Sequence, residues 1–109
     1  CVDFDGTCVT HEYPKIGAEV PNAVKVLKKL IENRVKLILW TIRSGEYLQA
    51  AVDWFAAREI ELWSVNKNPS QRFWSKSPKA YAPVYIDDAA LGCPLTYDPN
   101  AGRPFANWF

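Results

Sequence analysis

Methionine is absent from this 109-residue chain, histidine occurs once and cysteine three times. With His11 as the single imidazole, a zinc site of the usual four-ligand spacing has too few donors. Cys1, Cys8 and Cys93 form no CxxC pair and no even set, which argues against a disulfide scaffold and for a reducing, cytoplasmic setting. No apolar run approaches the ~20 residues that span a bilayer; Leu37 to Trp40 is a typical stretch, so no membrane partner is expected. No signal-peptide pattern opens the chain. Neither charge sign dominates. Thirteen basic residues against twelve acidic ones give a net charge of +1, so composition points to neither nucleic acid nor a membrane surface.

What is present belongs to a folded protein: 49% hydrophobic and 23% charged residues. The length suits a single domain, residues 1–109, with interior enough to fold without staples. Because the chain starts within what reads as a strand and lacks methionine, a short N-terminal piece ahead of Cys1 is expected.

From Cys1 to Asp5 apolar and acidic residues alternate until Gly6-Thr7, the pattern of a buried strand that turns at glycine. Residues 8–20 hold Pro14 and Gly17 without a sustained period and read as a flap or long loop. Pro21 suits the first turn of a helix, and Val20, Val24, Leu27 and Ile31 follow helical spacing up to an end signal at Asn33. Lys36 to Trp40 reads as a buried parallel strand. A second helix is expected over Glu46 to Arg58, with Leu48, Val52 and Phe55 inward, and a third strand over Ile60 to Val65. Asn66 to Pro83, with three prolines, reads as a loop with room for one helical turn. Val84 to Ile86 is the fourth strand, ending at Asp87-Asp88; the segment after Gly92 yields no assignment. This β-α-β-α-β-loop-β series predicts an α/β fold, a Rossmann-like parallel sheet with flanking helices.

Ligands of such sheets bind at the carboxyl ends of the strands. Asp3 and Asp5 end the first strand, Thr41 follows the second, and Asp87 and Asp88 end the fourth. Strand alternation puts Asp3 and Asp5 on one face, where two carboxylates repel unless a cation lies between them. Asp87 or Asp88 would complete a hard, all-oxygen pocket suited to Mg²⁺. Taken singly, an acid at a strand end is a cap or a solvated turn, and Thr41 is a helix N-cap. Their coincidence at three strand ends of one sheet is what favours a site.

Asp3-Phe4-Asp5-Gly6-Thr7 resembles the DxDGT motif of the haloacid dehalogenase superfamily, which consists mostly of phosphatases. Leu39-Trp40-Thr41 resembles its second motif and Tyr85-Ile86-Asp87-Asp88 its fourth, so the likeness runs in order from Val2 to Asp88. The resemblance implies a Mg²⁺-dependent phosphomonoesterase acting on a phosphorylated substrate. Asp3 would be the nucleophile, forming an aspartyl-phosphate, and Asp5 the proton-transfer group. Gly6 would let the backbone turn at the phosphate, with Thr7 bracing the loop, and Thr41 would bind phosphate through its hydroxyl and N–H. Metal ligands would be Asp3, Asp87 and the backbone carbonyl of Asp5, with Asp88 assisting directly or through water. The family also uses a lysine. Lys79 is the first choice because Pro78 stiffens the backbone ahead of the fourth strand; Lys76 and Lys67 are the alternatives.

The intervals between these motifs have no room for a cap domain, so a capless core is expected. Asp88 is followed by Ala89, where some nucleic-acid-end phosphatases of the superfamily carry arginine. Arg43, His11 and Trp74 are further candidates for substrate contact; surface or packing roles serve each as well. Trp40 and Trp54 read as core. The apolar end at Phe105, Trp108 and Phe109 must bury somewhere, and a second copy of the chain, as a homo-oligomer, would be one cover. Two alternatives stand beside the phosphomonoesterase: a phosphatase of nucleic-acid ends or proteins, and a non-catalytic phosphate-binding or interaction module. A receiver domain fits less well, because its acceptor aspartate belongs to a middle strand.

Overall fold

Helix α1 (Ala23–Glu32) forms where the 3.6-residue period is clearest. Ala23 and Leu27 are buried, Val24, Leu30 and Ile31 pack beside them, and Lys25, Lys28 and Lys29 face solvent. The helix ends as the sequence predicts. The Asn33 side-chain amide donates to Lys29 O at 2.7 Å, and Arg34 takes a left-handed conformation at φ 63°.

Helix α2 (Gly45–Ala57) buries Ala51, Trp54 and Phe55, while Leu48 and Val52 are only partly covered. The inward face is therefore turned from the expected Leu48-Val52-Phe55 line. Aromatic packing explains the turn: Trp54 meets Phe4 edge-on at 5.5 Å and Phe55 at 5.0 Å, and these rings bury more apolar area than Leu48 or Val52 could.

The computed structural model, which describes residues 1–109, holds an α/β protein with a small parallel sheet and two helices. Strand β1 (Ile38–Leu39) pairs in parallel with β2 (Ser64–Val65), Ile38 opposite Ser64 and Leu39 opposite Val65. On its other side Leu39 bridges Val2 in parallel, and Val2 in turn bridges Ile86. The regular strands are shorter than the sequence suggests, yet ladder bonds extend them: Val2 N–H donates to Ile38 O, Trp40 N–H to Val2 O and Asp3 N–H to Ile86 O, all at 2.8–2.9 Å. The order across the sheet is Ile86, Val2, β1, β2.

Between β2 and Ile86 the expected helical turn is a short 3₁₀ helix, Gln71–Phe73. An apolar groove of about 540 Å³ borders Val2, Ile38, Val84 and Ile86, where no further helix covers the sheet. The C-terminal segment, unassigned from sequence, forms an antiparallel pair of β3 (Leu95–Thr96) and β4 (Phe105–Ala106).

One core joins all these parts. Val2, Phe4, Leu27, Leu37, Leu39, Trp54 and Phe55 share a cluster with Cys8, Val9 and Ile60. Full burial of a residue such as Leu27 or Phe55 contributes about 1.5–3 kcal/mol. A smaller cluster of Val20, Ala23 and Phe105 anchors β4 to the start of α1, and Trp108 bridges the two clusters. No helix is long and apolar enough to cross a membrane.

Candidate active site

Parallel pairing sets the chain ends level, so the residue after each strand opens on the same rim. Those residues are Asp3, Asn66 and Asp87, with Thr41 two places past β1. Together with Trp40, Ile42 and Pro78 they line one cavity of about 420 Å³. Trp40 is thus half-buried at the rim rather than in the core.

Three carboxylates converge there. Oxygens of Asp3, Asp87 and Asp88 lie within 4.8 Å of one another, a set that could hold a metal ion. Thr7, wholly buried, organises them. Its hydroxyl donates to Asp3 Oδ2 at 2.9 Å and accepts from the Asp88 N–H at 3.1 Å, with Asp88 Oδ1 3.4 Å away. Burial, and next the neighbouring Asp87 charge, push the Asp3 carboxyl up to about 8, while the Thr7 hydrogen bond pulls the other way.

Asp5 lies apart from this cluster. After Phe4 the chain leaves extended geometry: Phe4 O accepts from the N–H groups of Thr7, Cys8 and Val9 in one tight turn. Strand alternation therefore stops one residue before Asp5, and its side chain turns to Arg43. Both carboxylate oxygens accept from the guanidinium at 2.7 Å, a bidentate pair. The third carboxylate of the cluster is that of Asp88 and not that of Asp5, whose expected part in the metal set is its backbone carbonyl.

Arg43 is not free to meet substrate. It is 1% exposed, and besides Asp5 it donates to the backbone oxygens of Pro14, Lys15 and Tyr47 at 3.0–3.2 Å. The Phe4 and Tyr13 rings lie 5.1 Å from its guanidinium carbon. One side chain thereby ties the 8–20 flap, α2 and the motif turn together. Its sequence signal was the placement of an arginine two residues past Thr41, at the strand end beside Asp5.

Gly6 is required by close approach. Its φ is +86°, and a Cβ there would overlap the His11 ring and the Asp88 carboxylate. Its N–H donates to Val9 O and its carbonyl accepts from Ala106 N–H, so the peptide braces the loop and its donor does not face the cavity. His11 is drawn in rather than solvated: Nε2 sits 2.9 Å from Asp88 Oδ2. Thr41 lines the cavity, but its N–H donates to the Asn66 side-chain oxygen at 2.8 Å and its hydroxyl accepts from Arg43 N–H at 3.1 Å. What remains for a ligand is the Thr41 hydroxyl proton. Asn66 itself was missed; its signal was the position after the third strand.

None of the candidate lysines lines this cavity. Lys79 lies with its ammonium 5.4 Å from the Tyr85 ring centre, and Lys67 and Lys76 line a separate polar cavity. Trp74 is 62% exposed and meets Tyr81 edge-on at 5.7 Å, away from Asp3. The C-terminal strand also reaches the motif. Trp108 Nε1 donates to Thr7 O at 2.8 Å, and Ala106 N–H to Gly6 O at 2.8 Å. Cys8, buried beneath the loop, donates its thiol to Asp3 O at 3.3 Å; burial, with the Asp3 and Asp5 charges, pushes that thiol up.

Among solved structures the chain is similar to a conserved protein from Bacteroides thetaiotaomicron. The two are 45% identical, with a TM-score of 0.77 over 84% of this chain and 75% of that one. Identity of that size over that share of both chains makes them members of one family. No family model and no curated protein matches the chain.

Proposed function

We propose that this chain is a Mg²⁺-dependent phosphomonoesterase with a capless, haloacid dehalogenase-like core, in which Asp3 is the nucleophile. One observation carries the reading. Asp3 and the Asp87-Asp88 pair, from opposite ends of the sequence, converge to within 4.8 Å beside a cavity that also holds Thr41. The cluster's chemistry fits a hard cation. Three carboxylates crowd one small space, and burial with like charge pushes Asp3 to about 8, a strain that a divalent ion relieves. Bound by Asp3, Asp87 and Asp88, Mg²⁺ would keep Asp3 ionised and offset its repulsion with an anionic phosphate.

Asp3 attacks phosphorus as the ester oxygen leaves, giving an aspartyl-phosphate that water then hydrolyses. Thr7 fixes the orientation of the attacking carboxylate through the 2.9 Å hydrogen bond. The Thr41 hydroxyl donates to a phosphate oxygen. Asp5 is the proton-transfer group: once it leaves Arg43 and takes up a proton, it gives that proton to the leaving ester oxygen and recovers one from the water that hydrolyses the aspartyl-phosphate. The open cavity, without a cap, admits large phosphate esters. The test is phosphate release from an aryl phosphate with and without Mg²⁺. Turnover that a chelator suppresses and Asp3→Asn abolishes is expected; purified, folded wild type inert with every divalent ion overturns the reading.

A further inference from the structure

The 66–83 loop carries four of the thirteen basic residues, Lys67, Arg72, Lys76 and Lys79, and none of the twelve acidic ones. Three of them, Lys67, Arg72 and Lys76, ring a cavity of about 350 Å³ whose lining is otherwise polar apart from Pro69. None of the three is in an ion pair; the pairs present are His11–Asp88, Arg43–Asp5 and Arg58–Glu19. Uncompensated positive charge therefore gathers in one concavity of a chain whose net charge is only +1.

The cavity is held open by polar bonds across the loop, one set of them buried. Gln71, 6% exposed, donates to Lys79 O at 2.9 Å and accepts from Tyr81 N–H at 2.7 Å. Asn68 donates to Tyr81 O at 3.0 Å and accepts from both the N–H and the hydroxyl of Ser70. These bonds staple the two sides of the loop, so the cations are displayed on a fixed frame. The frame abuts the Asp3 cavity twice. Asn66 lines that cavity and Lys67 the basic one; Pro78 lines the first and Ser77 the second.

We propose that this basic cavity is a second anion subsite, and that the substrate is a phosphate monoester bearing at least one further phosphate group. The inference rests on the phosphomonoesterase reading, for it takes the scissile phosphate to lie at Asp3. The Arg72 fork and two ammonium groups suit phosphate oxygens, and no carboxylate in the cavity competes with them. The second phosphate belongs either to a small bisphosphate or to the adjoining residue of a phosphorylated nucleic-acid strand.

Calorimetric titration with inorganic tripolyphosphate tests the subsite without turnover. In metal-free protein the clustered carboxylates at Asp3 repel anions, so binding reports the basic cavity. Wild type is expected to bind, with Arg72→Gln/Lys76→Gln about tenfold or more weaker, and the difference to shrink with salt. Absence of binding, or equal affinity in wild type and variant, overturns the proposal even if Mg²⁺-dependent aryl phosphatase activity is present. Tripolyphosphate binding without that activity instead removes the phosphatase reading and leaves an anion site. In the active enzyme, kcat/KM for a sugar bisphosphate or a 5′-phosphorylated oligonucleotide is expected to exceed that for the matching monophosphate, and the variant to erase the preference. Which of the two shows the larger variant effect identifies the source of the second phosphate. No preference for either contradicts the subsite.

Discussion

Arg43 and Asp5 are the most constrained charges in the protein, and their removal separates structural from chemical roles. Asp5→Asn leaves a guanidinium that is 1% exposed without its ionic partner. A broken buried pair costs about 3–5 kcal/mol, so urea unfolding at neutral pH is expected to show a loss of that order. A loss under about 1 kcal/mol would mean that the pair is open in solution. Kinetics on this variant belong at low temperature, where its folded fraction is checked first. Asp3→Asn behaves oppositely, because it removes a carboxyl whose ionisation is opposed by burial and by the neighbouring Asp87 charge. In the metal-free folded state Asp3 holds its proton up to about 8, whereas the unfolded chain releases it near 3.8. Between those values the folded state binds more protons, so stability falls as pH rises from about 4 to about 8 and levels off above. Unfolding midpoints of metal-free wild type and Asp3→Asn at pH 5 and pH 8 check this. The wild-type decline should exceed that of Asp3→Asn, and identical declines contradict the account.

Elements differ in how openly the sequence declared them. Helix α1 and the strand ends at Asp3, Thr41 and Asp87 were legible because each rests on local chemistry: a 3.6-residue period, a short apolar run, a glycine turn. The C-terminal pair β3–β4 was not. Its strands are two residues long, and its partners are the carbonyls of Gly6 and Thr7, about a hundred residues earlier. Arg43 was legible only as a candidate for substrate contact; its bracing role was not, since three of its acceptors are backbone oxygens, which carry no residue signature. Strand alternation misled at Asp5 because the turn on Phe4 O starts before the motif ends. The hairpin's bracing role is testable: Trp108→Phe keeps an aromatic ring but leaves the buried Thr7 carbonyl without its donor. It should cost about 1–2 kcal/mol and lower kcat more than it raises KM, since Thr7 positions Asp3. Unchanged stability and kinetics would make the segment a passive cover.

At the scale of the whole molecule, the sheet's rim brings an acidic cluster and a basic loop side by side, an arrangement suited to a cation and a phosphate together. Cation binding to the folded state alone stabilises it by mass action, about 2.7 kcal/mol at a hundredfold excess over Kd. Mg²⁺ should therefore raise the melting temperature of wild type and have little effect on Asp87→Asn, measured by thermal denaturation with and without chelator; equal shifts in both would place the ion elsewhere. The central claim is that Asp3 carries the phosphoryl group, and it has a direct chemical test. An acyl phosphate on an aspartate is reduced by borohydride to homoserine, so turnover is quenched, reduced, and mapped by peptide mass spectrometry. The account predicts homoserine at position 3 in wild type during Mg²⁺-dependent turnover and none in Asp3→Asn. Turnover with modification at another aspartate, or at no residue, would contradict it.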